Sequence, residues 1–406
     1  MSKEALSGLK VIEFSEYISG PYCGKLFADL GAEVIKIEKP GVGDRARNWG
    51  PFPQDIPDRE KSGLFLYLNT NKSSVTLNID SALGLKIFHE LIKWADVLIE
   101  DNTPLEKERL KLDYDNLHQI NPRLVVTSIT PFGQTGLYRN YKGSDLITFN
   151  MGGDAYLNPS GGVEDAEGQP PLKVPAHTGD FLAGLGAAVS SMSAVIAQRK
   201  TGQGQQVDLS SQEAMVHMVC HQIGDYTSIG ASYKRKKAEQ STGAAEVQTS
   251  KNGYIFMLMF GEAAWTSLVE MMGNPEWTKG DEYKDISRRR TKMGDINQKV
   301  AEWVSQHTNE EIMKLAENKR IPVTPLYTIK ETMETEQLKE RGFFVEIDHK
   351  KAGKFVFPGA PYKLSGTPWR VKTPAPLLGE HNNQVYTQIL GYDNQHLIKM
   401  RQAGII

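Results

Sequence analysis

An aspartate stands immediately before a long helix that the sequence predicts. The run Pro-Ala-His-Thr-Gly-Asp ends at Asp180, and the helix is predicted over residues 181–199. Free backbone N–H groups and the helix dipole favour an ionised carboxylate at or beside the N-cap. An ionised carboxylate can act as a nucleophile, although most aspartates at helix starts are only caps. The motifs that accompany Asp180 must therefore decide its role.

Other kinds of chemistry lack their motifs. The first predicted strand is followed by SEYISGP at residues 15–21, which lacks the spaced glycines of a dinucleotide site. The sequence has no HExxH, GxSxG or Walker motif, and its 9 histidines show no metal-ligand spacing. We therefore expect neither a nicotinamide cofactor nor a metal.

The charge balance excludes functions that need a strong net field. The chain has 406 residues, with Lys+Arg 47 against Asp+Glu 49, so we expect no binding to nucleic acid or to an anionic membrane. Residues 1–9 do not resemble a signal peptide, and no window approaches the roughly 20 apolar residues of a membrane span. We expect a cytoplasmic protein with enough apolar residues for a large core or two domains.

Strand and helix patterns alternate along the first half of the chain. This alternation predicts an α/β fold with a parallel sheet and helices on its faces. The predicted strands are 8–14, 33–38, 96–100, 124–130 and 205–209, and the predicted helices are 21–30, 82–95, 181–199 and 212–220. Small residues along 181–199 indicate close packing against another helix or chain.

A change in composition at residues 224–244 predicts a linker or a mobile loop over a site. We therefore predict a large domain over 1–223, a small α+β domain over 224–335, and a return segment over 336–406 that completes the large domain. The later predicted elements are a strand at 252–260, helices at 263–272, 296–308 and 309–317, a hairpin at 343–357 and a helical tail at 382–404.

Nine sequence blocks follow one another along almost the whole chain. They are LKVIEFSEYISGPYCGKLFADLGAEVIKIEKPGVGDRAR, NTNKSSVTLNI, ADVLIEDNTP, NPRLVVTSITPFGQTG, HTGD, QRKTGQGQQVDLSSQEA, NGYIFMLM, RIPVTPLYT and APLLGEHNNQV. In this order they resemble the family III CoA-transferases, which include formyl-CoA transferase and the carnitine and bile-acid CoA-transferases. The resemblance implies a Rossmann-like large domain, a smaller inserted α+β domain and two interlocked chains. It implies a homodimer, and a heteromer with a related subunit is an open alternative.

The resemblance also implies a role for Asp180 in moving coenzyme A between carboxylic acids. The matching aspartate attacks the thioester of the donor and gives an aspartyl–acyl anhydride and a CoA thiolate. The thiolate then forms an aspartyl-CoA thioester, and the acceptor acid displaces it through a second anhydride. Acyl-CoA and a small carboxylic acid are the substrates, and no cofactor is bound permanently.

Coenzyme A carries three phosphates, so its site needs cationic and backbone donors. The positions that match the family's CoA site are Lys39, Asp101, Asn102, Thr103, Arg109 and Lys142, and Asp145 matches an acidic residue near the nucleophile. A structural role is the alternative for each of them, and for Asp145 it is a hydrogen-bonding partner.

The sequence departs from formyl-CoA transferase at two places. Ile18 replaces a glutamine that contacts the reacting aspartyl group, which argues against formate and oxalate as substrates. The glycine run over the active site is absent, and Ser-Thr-Gly-Ala occupies residues 241–244. Tyr17, Ile18, Phe132 and Tyr138 either line an apolar acyl pocket or belong to the core. We expect a larger, partly apolar acid, such as an aromatic succinate, with succinyl-CoA as donor.

Two rival functions remain. The α-methylacyl-CoA racemase branch shares the fold but needs a histidine base, and Ser144 occupies the matching position. The other rival is a non-catalytic CoA-ester-binding subunit, against which the presence of Asp180 argues.

Overall fold

A parallel sheet of six strands lies at the centre of the larger of two compact units in this computed structural model. The structure describes residues 4–159, 163, 165, 167–235, 245–259 and 261–406. The strands are β1 (Lys10–Phe14), β2 (Glu33–Glu38), β3 (Lys72–Thr76), β4 (Val97–Glu100), β5 (Val125–Thr130) and β6 (Gln206–Ser210). Their order is β3-β2-β1-β4-β5-β6, and every neighbouring pair is parallel. The predicted α/β fold is confirmed, although the mostly polar strand β3 was not predicted.

Helices cover both faces of this sheet. They are α1 (Ser19–Ala28), α2 (Gly63–Leu68), α3 (Ala82–Trp94), α4 (Pro104–Leu110), α5 (Tyr114–Ile120), α6 (Asp145–Met151), α7 (Thr178–Thr201), α8 (Ser211–Val216) and α9 (Cys220–Ile229). Helix α7 begins before the predicted start at residue 181. Residues 224–229 belong to α9, so the linker predicted at 224–244 was wrong for its first residues.

Neighbouring residues of β1 point into two different cores. Ile12 packs in a cluster with Phe88 and Leu91 of α3. Val11 packs in a cluster with Phe27 of α1 and residues of α7. Buried apolar residues on both faces are what a parallel sheet between two helical layers requires.

Helices α1 and α7 lie unusually close together. A Cβ built on Gly184 of α7 would lie 2.5 Å from the backbone oxygen of Ser19 at the start of α1. A glycine is therefore needed where the two helices meet, as the small residues of this segment predicted. This contact brings the beginning of α1 next to the first turns of α7.

The smaller unit comprises Tyr156–Leu172 and Ser232–Gly342. Its strands are β7 (Ala245–Ser250), β8 (Gly253–Leu258) and β9 (Val323–Pro325), which form an antiparallel sheet in that order. Its helices are α10 (Gly261–Met271), α11 (Ile286–Arg290), α12 (Met293–Val304), α13 (Asn309–Ala316), α14 (Ile329–Glu334) and α15 (Glu336–Glu340). The chain enters and leaves this unit somewhat later than the predicted limits of 224 and 335.

The chain returns to the larger unit at Phe343. Strands β10 (Phe344–His349) and β11 (Gly353–Pro358) form the predicted hairpin. The tail is not one helix, because α16 (Asn382–Gln384), a π-helical turn (Val385–Ile389) and α17 (Asn394–Gln402) follow one another. The larger unit thus comprises Met1–Ala155, Lys173–Ala231 and Phe343–Ile406.

One described helix, α7, has the length and apolar composition of a membrane span. Its residues Ala183, Ala187, Ala194 and Val195 are buried in the core beside the sheet. These contacts are those of a core helix, and a cytoplasmic location stays a prediction.

Candidate active site

The carboxyl edge of the six-stranded sheet contains the point where strand order reverses. Strand β1 lies between β2 and β4, and ligands of such sheets typically bind outside the carboxyl ends of the strands at this point. The backbone N–H of Glu16, after β1, donates to Oδ2 of Asp101, after β4, at 2.9 Å. The predicted residues that follow β4 therefore lie at this switch point.

Asp180 is the third residue of α7 rather than its N-cap. The helix begins at Thr178, and the side chain of the preceding His177 makes no capping hydrogen bond. Instead, the backbone N–H of Asp180 donates to Oδ1 of Asp145 at 3.1 Å. A Cβ on Gly179 would lie 2.7 Å from the same oxygen, so glycine permits this capping contact. Because Asp145 caps the helix from outside, the Asp180 carboxyl does not have to do so.

The Asp180 carboxyl faces the start of α1 and the residue before its own helix. Ser19 Oγ donates to Asp180 Oδ1 at 3.4 Å, and His177 Nδ1 lies 3.7 Å from Asp180 Oδ2. Ile18 stands where formyl-CoA transferase has a glutamine that contacts the aspartyl group, and its apolar side chain is fully buried in the core. The hydroxyl of the next residue, Ser19, supplies a polar contact that the sequence comparison did not reveal.

The pKa of Asp180 is raised to about 7, mainly by burial and secondly by the neighbouring Asp145 carboxylate. The hydrogen bond from Ser19 and the charges of Lys173 and Arg45 oppose this increase. Lys173 Nζ forms an ion pair with Asp145 Oδ2 at 2.7 Å, which partly balances the second carboxylate. The Asp180 carboxyl therefore exchanges its proton near neutral pH.

Tyr17 connects the β1–α1 loop to the start of α7. Its φ of 73° lies in the left-handed region, and its backbone N–H donates to Asp44 Oδ1 at 2.9 Å. Its hydroxyl oxygen lies 3.3 Å from Nε2 of His177. The Tyr17 ring also packs edge-on against Trp49 and His177, with centroids 5.3 Å away in each case. Tyr17 thus contacts His177, whose imidazole lies beside Asp180, and its predicted place in an acyl pocket stays a prediction.

A buried ionic network of residues from the sheet and Asp44 supports the β1–α1 loop. Lys36 Nζ lies 2.8 Å from Glu13 Oε1 and 2.6 Å from Asp44 Oδ2. Lys72 Nζ lies 2.7 Å from Glu13 Oε2. All four side chains are buried. Charged groups without water are stable only when they are paired, so the network fixes the carboxylate of Asp44 that binds the Tyr17 backbone.

The polar residues after β4 bind mainly to their neighbours. Burial raises the pKa of Asp101 to about 8. The backbone N–H of Asn102 donates to Glu100 Oε2 at 2.8 Å. Thr103 caps α4 in a capping box with Glu106. These contacts give Asp101, Asn102 and Thr103 structural roles. The predicted contacts of these three residues with CoA stay predictions.

The three predicted basic residues are exposed at separate places in the larger unit. Lys39 directly follows β2, and Lys142 precedes α6. The Arg109 guanidinium forms an ion pair with Asp80 Oδ1 at 2.8 Å, and both side chains are more than half exposed. A phosphate would therefore compete with Asp80 for Arg109.

Three further predictions concern the surroundings of the site. The Phe132 and Tyr138 rings pack edge-on with centroids 5.7 Å apart, and Tyr138 is 44% exposed. Ser144 is the residue before α6, and the imidazole near Asp180 belongs to His177 instead. The segment at 241–244, predicted to stand in place of the glycine run, lies outside the described residues.

Within the described ranges no group of three or more His, Cys, Asp or Glu side chains is placed to hold a metal ion.

Sequence reasoning missed Ser19 and His177. Both lie in sequence blocks that carry the family resemblance, but their contact with Asp180 depends on how the β1–α1 loop meets α7. Ser19 and Asp180 are 161 residues apart, so only the tertiary structure joins them.

The doubly wound sheet, its switch point and the carboxyl at the start of α7 define an α/β protein whose candidate site lies at the carboxyl edge of the sheet. A profile described as CoA-transferase family III matches residues 6–382. A formyl-CoA:oxalate CoA-transferase from Bradyrhizobium sp. (strain ORS 278) is 31% identical over 99% of this chain and 97% of its own. One from Streptomyces coelicolor is 31% identical over 100% of both chains. The chain belongs to CoA-transferase family III and is a transferase enzyme that uses CoA thioesters.

Solved structures agree with this assignment. A CAIB/BAIF family protein from Brucella suis matches with a TM-score of 0.83 and 26% identity, over 95% of this chain and 100% of its own. Rv3272 from Mycobacterium tuberculosis matches with a TM-score of 0.79 and 23% identity, over 94% of this chain and 99% of its own. The second match supports the fold alone.

Proposed function

We propose that Asp180 is the nucleophile that carries the acyl group during CoA transfer. Its carboxylate oxygen bonds to the acyl carbon of the donor, the carbon–sulfur bond breaks, and the electron pair stays on the CoA sulfur. The thiolate then attacks the aspartyl carbonyl and releases the donor acid as a carboxylate. The acceptor carboxylate attacks the resulting aspartyl-CoA thioester, and the thiolate finally takes the new acyl group. One thioester replaces another, so the exchange needs no energy source.

The observation that carries this proposal is the setting of the Asp180 carboxyl. Asp145 caps α7 from outside, which leaves the oxygens of Asp180 available beside the Ser19 hydroxyl. The Asp180 side chain is only 14% exposed. Limited contact with water suits an anhydride, which hydrolyses readily in solution.

The walls of the site favour an acid with an apolar body. The Tyr17 and Trp49 rings lie beside His177, and the buried Ile18 offers no polar group to a small acid. The relatives named above act on formyl-CoA and oxalate, but at about one-third identity their substrates do not transfer directly. We propose an aryl- or alkyl-substituted acid as acceptor, such as an aromatic succinate, and succinyl-CoA as donor.

A panel of acids tests this choice. With succinyl-CoA as donor, benzylsuccinate or another apolar acid should exceed oxalate and formate in kcat/KM by about tenfold or more, because apolar groups gain from burial beside the two rings. Mass spectrometry of the CoA products gives the rates. Formate or oxalate as the fastest acceptor would contradict the proposed acid class but not the transfer itself.

We propose further that Arg109, Lys39 and Lys142 contact the phosphates of CoA, with polar and backbone contacts from Asp101, Asn102 and Thr103. Arg109→Ala should raise the KM for the acyl-CoA by roughly 10- to 100-fold, since a charge-assisted hydrogen bond contributes about 1.5–3 kcal/mol. Steady-state kinetics with varied donor measures this change.

Asp80→Asn is the matched control for Arg109. It removes the carboxylate that holds the guanidinium in the free protein and should leave the KM unchanged or lower it. An unchanged KM in Arg109→Ala, together with an unchanged dissociation constant for free CoA, would remove Arg109 from the site.

Exchange of an α-proton is the second candidate function, and the position of His177 favours it. An imidazole within 3.7 Å of the Asp180 carboxyl offers the kind of base that Ser144 cannot provide. We nevertheless expect CoA transfer, because the His177 imidazole lies beside Asp180, the proposed nucleophile. In deuterated water without an acceptor acid, a branched acyl-CoA should gain no α-deuterium. Deuterium uptake at a rate comparable to turnover, with no acid accepting CoA, would favour the racemase reaction.

We also propose that the chain forms a homodimer. Leu185, Val189 and Ile196 of α7 are 45%, 62% and 51% exposed, which is more apolar surface than a helix facing water usually presents. A second copy of the chain would cover it.

A further inference from the structure

The His177 side chain has a buried nitrogen whose hydrogen-bonding capacity is unused among the described residues. Its Nδ1 atom has no partner within hydrogen-bond distance, and the nearest carboxyl oxygen is Oδ2 of Asp180 at 3.7 Å. A buried polar atom without a partner is costly, so its presence beside a reactive carboxyl calls for a functional reason.

The contact of the other ring nitrogen of His177, Nε2, indicates which tautomer of the imidazole is present. His177 Nε2 lies 3.3 Å from the Tyr17 hydroxyl, and the ring packs edge-on against both Tyr17 and Trp49. If Nε2 carries the hydrogen and donates to Tyr17, then Nδ1 presents a lone pair to Asp180. Histidines that act as bases are commonly oriented by such a second hydrogen bond.

We infer that His177 is the proton acceptor for Asp180 and that Tyr17 is the positioning residue that orients its ring. This inference rests on the proposed role of Asp180 as nucleophile. The proton passes from Asp180 Oδ2 to His177 Nδ1 as the other carboxyl oxygen attacks the acyl carbon. The imidazolium that forms offsets the charge of the CoA thiolate, and His177 returns the proton to the Asp180 carboxylate when the last step of the transfer releases it.

The charges around the pair set the protonation state before the reaction, with the proton on Asp180 and a neutral His177. Burial raises the pKa of Asp180 to about 7, helped by Asp145. Burial lowers the pKa of His177, and Lys173 lowers it further while Asp145 opposes the change. Near neutral pH the carboxyl is thus partly protonated beside a neutral imidazole.

Other charged and titratable groups also lie near the pair. Burial and the nearby carboxylates of Asp180 and Asp145 raise the pKa of Tyr17 to about 12, and Arg45 opposes this. Arg45 is a permanent charge paired with Glu16 at 2.9 Å. Glu16 has a raised pKa, first through burial and then through Asp44, and it forms no direct contact with His177 in the described structure.

The pH dependence of adduct formation tests the inference. Wild-type protein and His177→Asn are mixed with excess acyl-CoA without acceptor, and the modified Asp180 peptide is quantified over time between pH 5.5 and 8.5. At pH 6 the wild type should react at least about fivefold faster, because in the variant only the already ionised fraction of Asp180 can attack. At pH 8.5, where Asp180 is ionised in both proteins, the rates should converge to within about twofold.

Two further variants keep the test decisive. Tyr17→Phe removes only the partner of Nε2 and should show the same trend with a smaller difference at pH 6. His118→Asn removes a remote histidine whose Nδ1 lies 3.2 Å from the Tyr114 hydroxyl, and it should match the wild type at every pH.

The outcomes separate this inference from the proposed function. A ratio of wild-type to His177→Asn rates that stays constant with pH would overturn the role of His177, whatever its size. Should His177→Asn fail to fold, a constant ratio for Tyr17→Phe would do the same. A wild-type protein that forms no adduct on Asp180 would instead contradict the proposed nucleophile.

Discussion

Replacement of Asp180 by Ala is expected to lower the rate of CoA transfer by roughly 10⁴-fold or more, because the covalent route loses its nucleophile. Asp180→Asn should lose a similar factor, since an amide is a far weaker nucleophile than a carboxylate. The KM for the acyl-CoA should change much less, because the predicted phosphate contacts lie elsewhere. Transfer measured with the best donor and acceptor pair gives both parameters.

The helix-capping role of an aspartate needs its own control. Asp393 is the N-cap of α17, and its side chain accepts a hydrogen bond from the His396 N–H. Asp393→Asn should transfer CoA at the wild-type rate, since asparagine caps helices about as well as aspartate. If correctly folded Asp180→Ala retained the full rate, the proposed chemistry would be wrong.

Replacement of Lys36 by Met is expected to lower the free energy of unfolding of the larger unit by about 3–5 kcal/mol. The change leaves the carboxylates of Glu13 and Asp44, which lie within 2.8 Å and 2.6 Å of Lys36 Nζ, without their shared cation in a site without water. Urea unfolding followed by circular dichroism measures the loss. Because Asp44 also binds the Tyr17 backbone, any folded variant should transfer CoA more slowly.

Lys354→Met is the matched control in the same unit. Its ion pair with Glu346 has a length of 2.7 Å, but the two side chains are 66% and 57% exposed. Water already solvates both charges, so the loss should be small beside that of Lys36→Met. Equal losses in the two variants would contradict the structural role given to the buried network.

The sequence predicted the parallel sheet because its strands are short apolar runs between helical segments. It did not predict β3, because Lys72 and the two serines give that strand a polar composition. Strand β3 lies at the edge of the sheet. Lys72 belongs to the buried network with Glu13. A charged residue in a strand is predicted to be exposed unless its ionic partner on another strand is known.

The candidate site was predicted in part. Asp180 and its association with Asp145 came from local motifs and from the family resemblance. The contacts of Ser19 and His177 with Asp180 depend on the close packing of α1 on α7 and on the left-handed conformation of Tyr17. The small residues of α7 indicated close packing but not that α1 is the partner, and a left-handed conformation at a tyrosine is set by tertiary contacts rather than by residue spacing.

Covalent labelling of Asp180 tests the central claim most directly. The wild-type protein is incubated with acyl-CoA in the absence of acceptor, treated with hydroxylamine, digested and analysed by tandem mass spectrometry. An activated aspartyl carbonyl should be converted to a hydroxamate at Asp180, and incubation with free CoA in place of acyl-CoA should give no label, because free CoA cannot activate a carboxylate. Transfer that proceeds with no label at Asp180, or with the label on another carboxylate, would contradict the account.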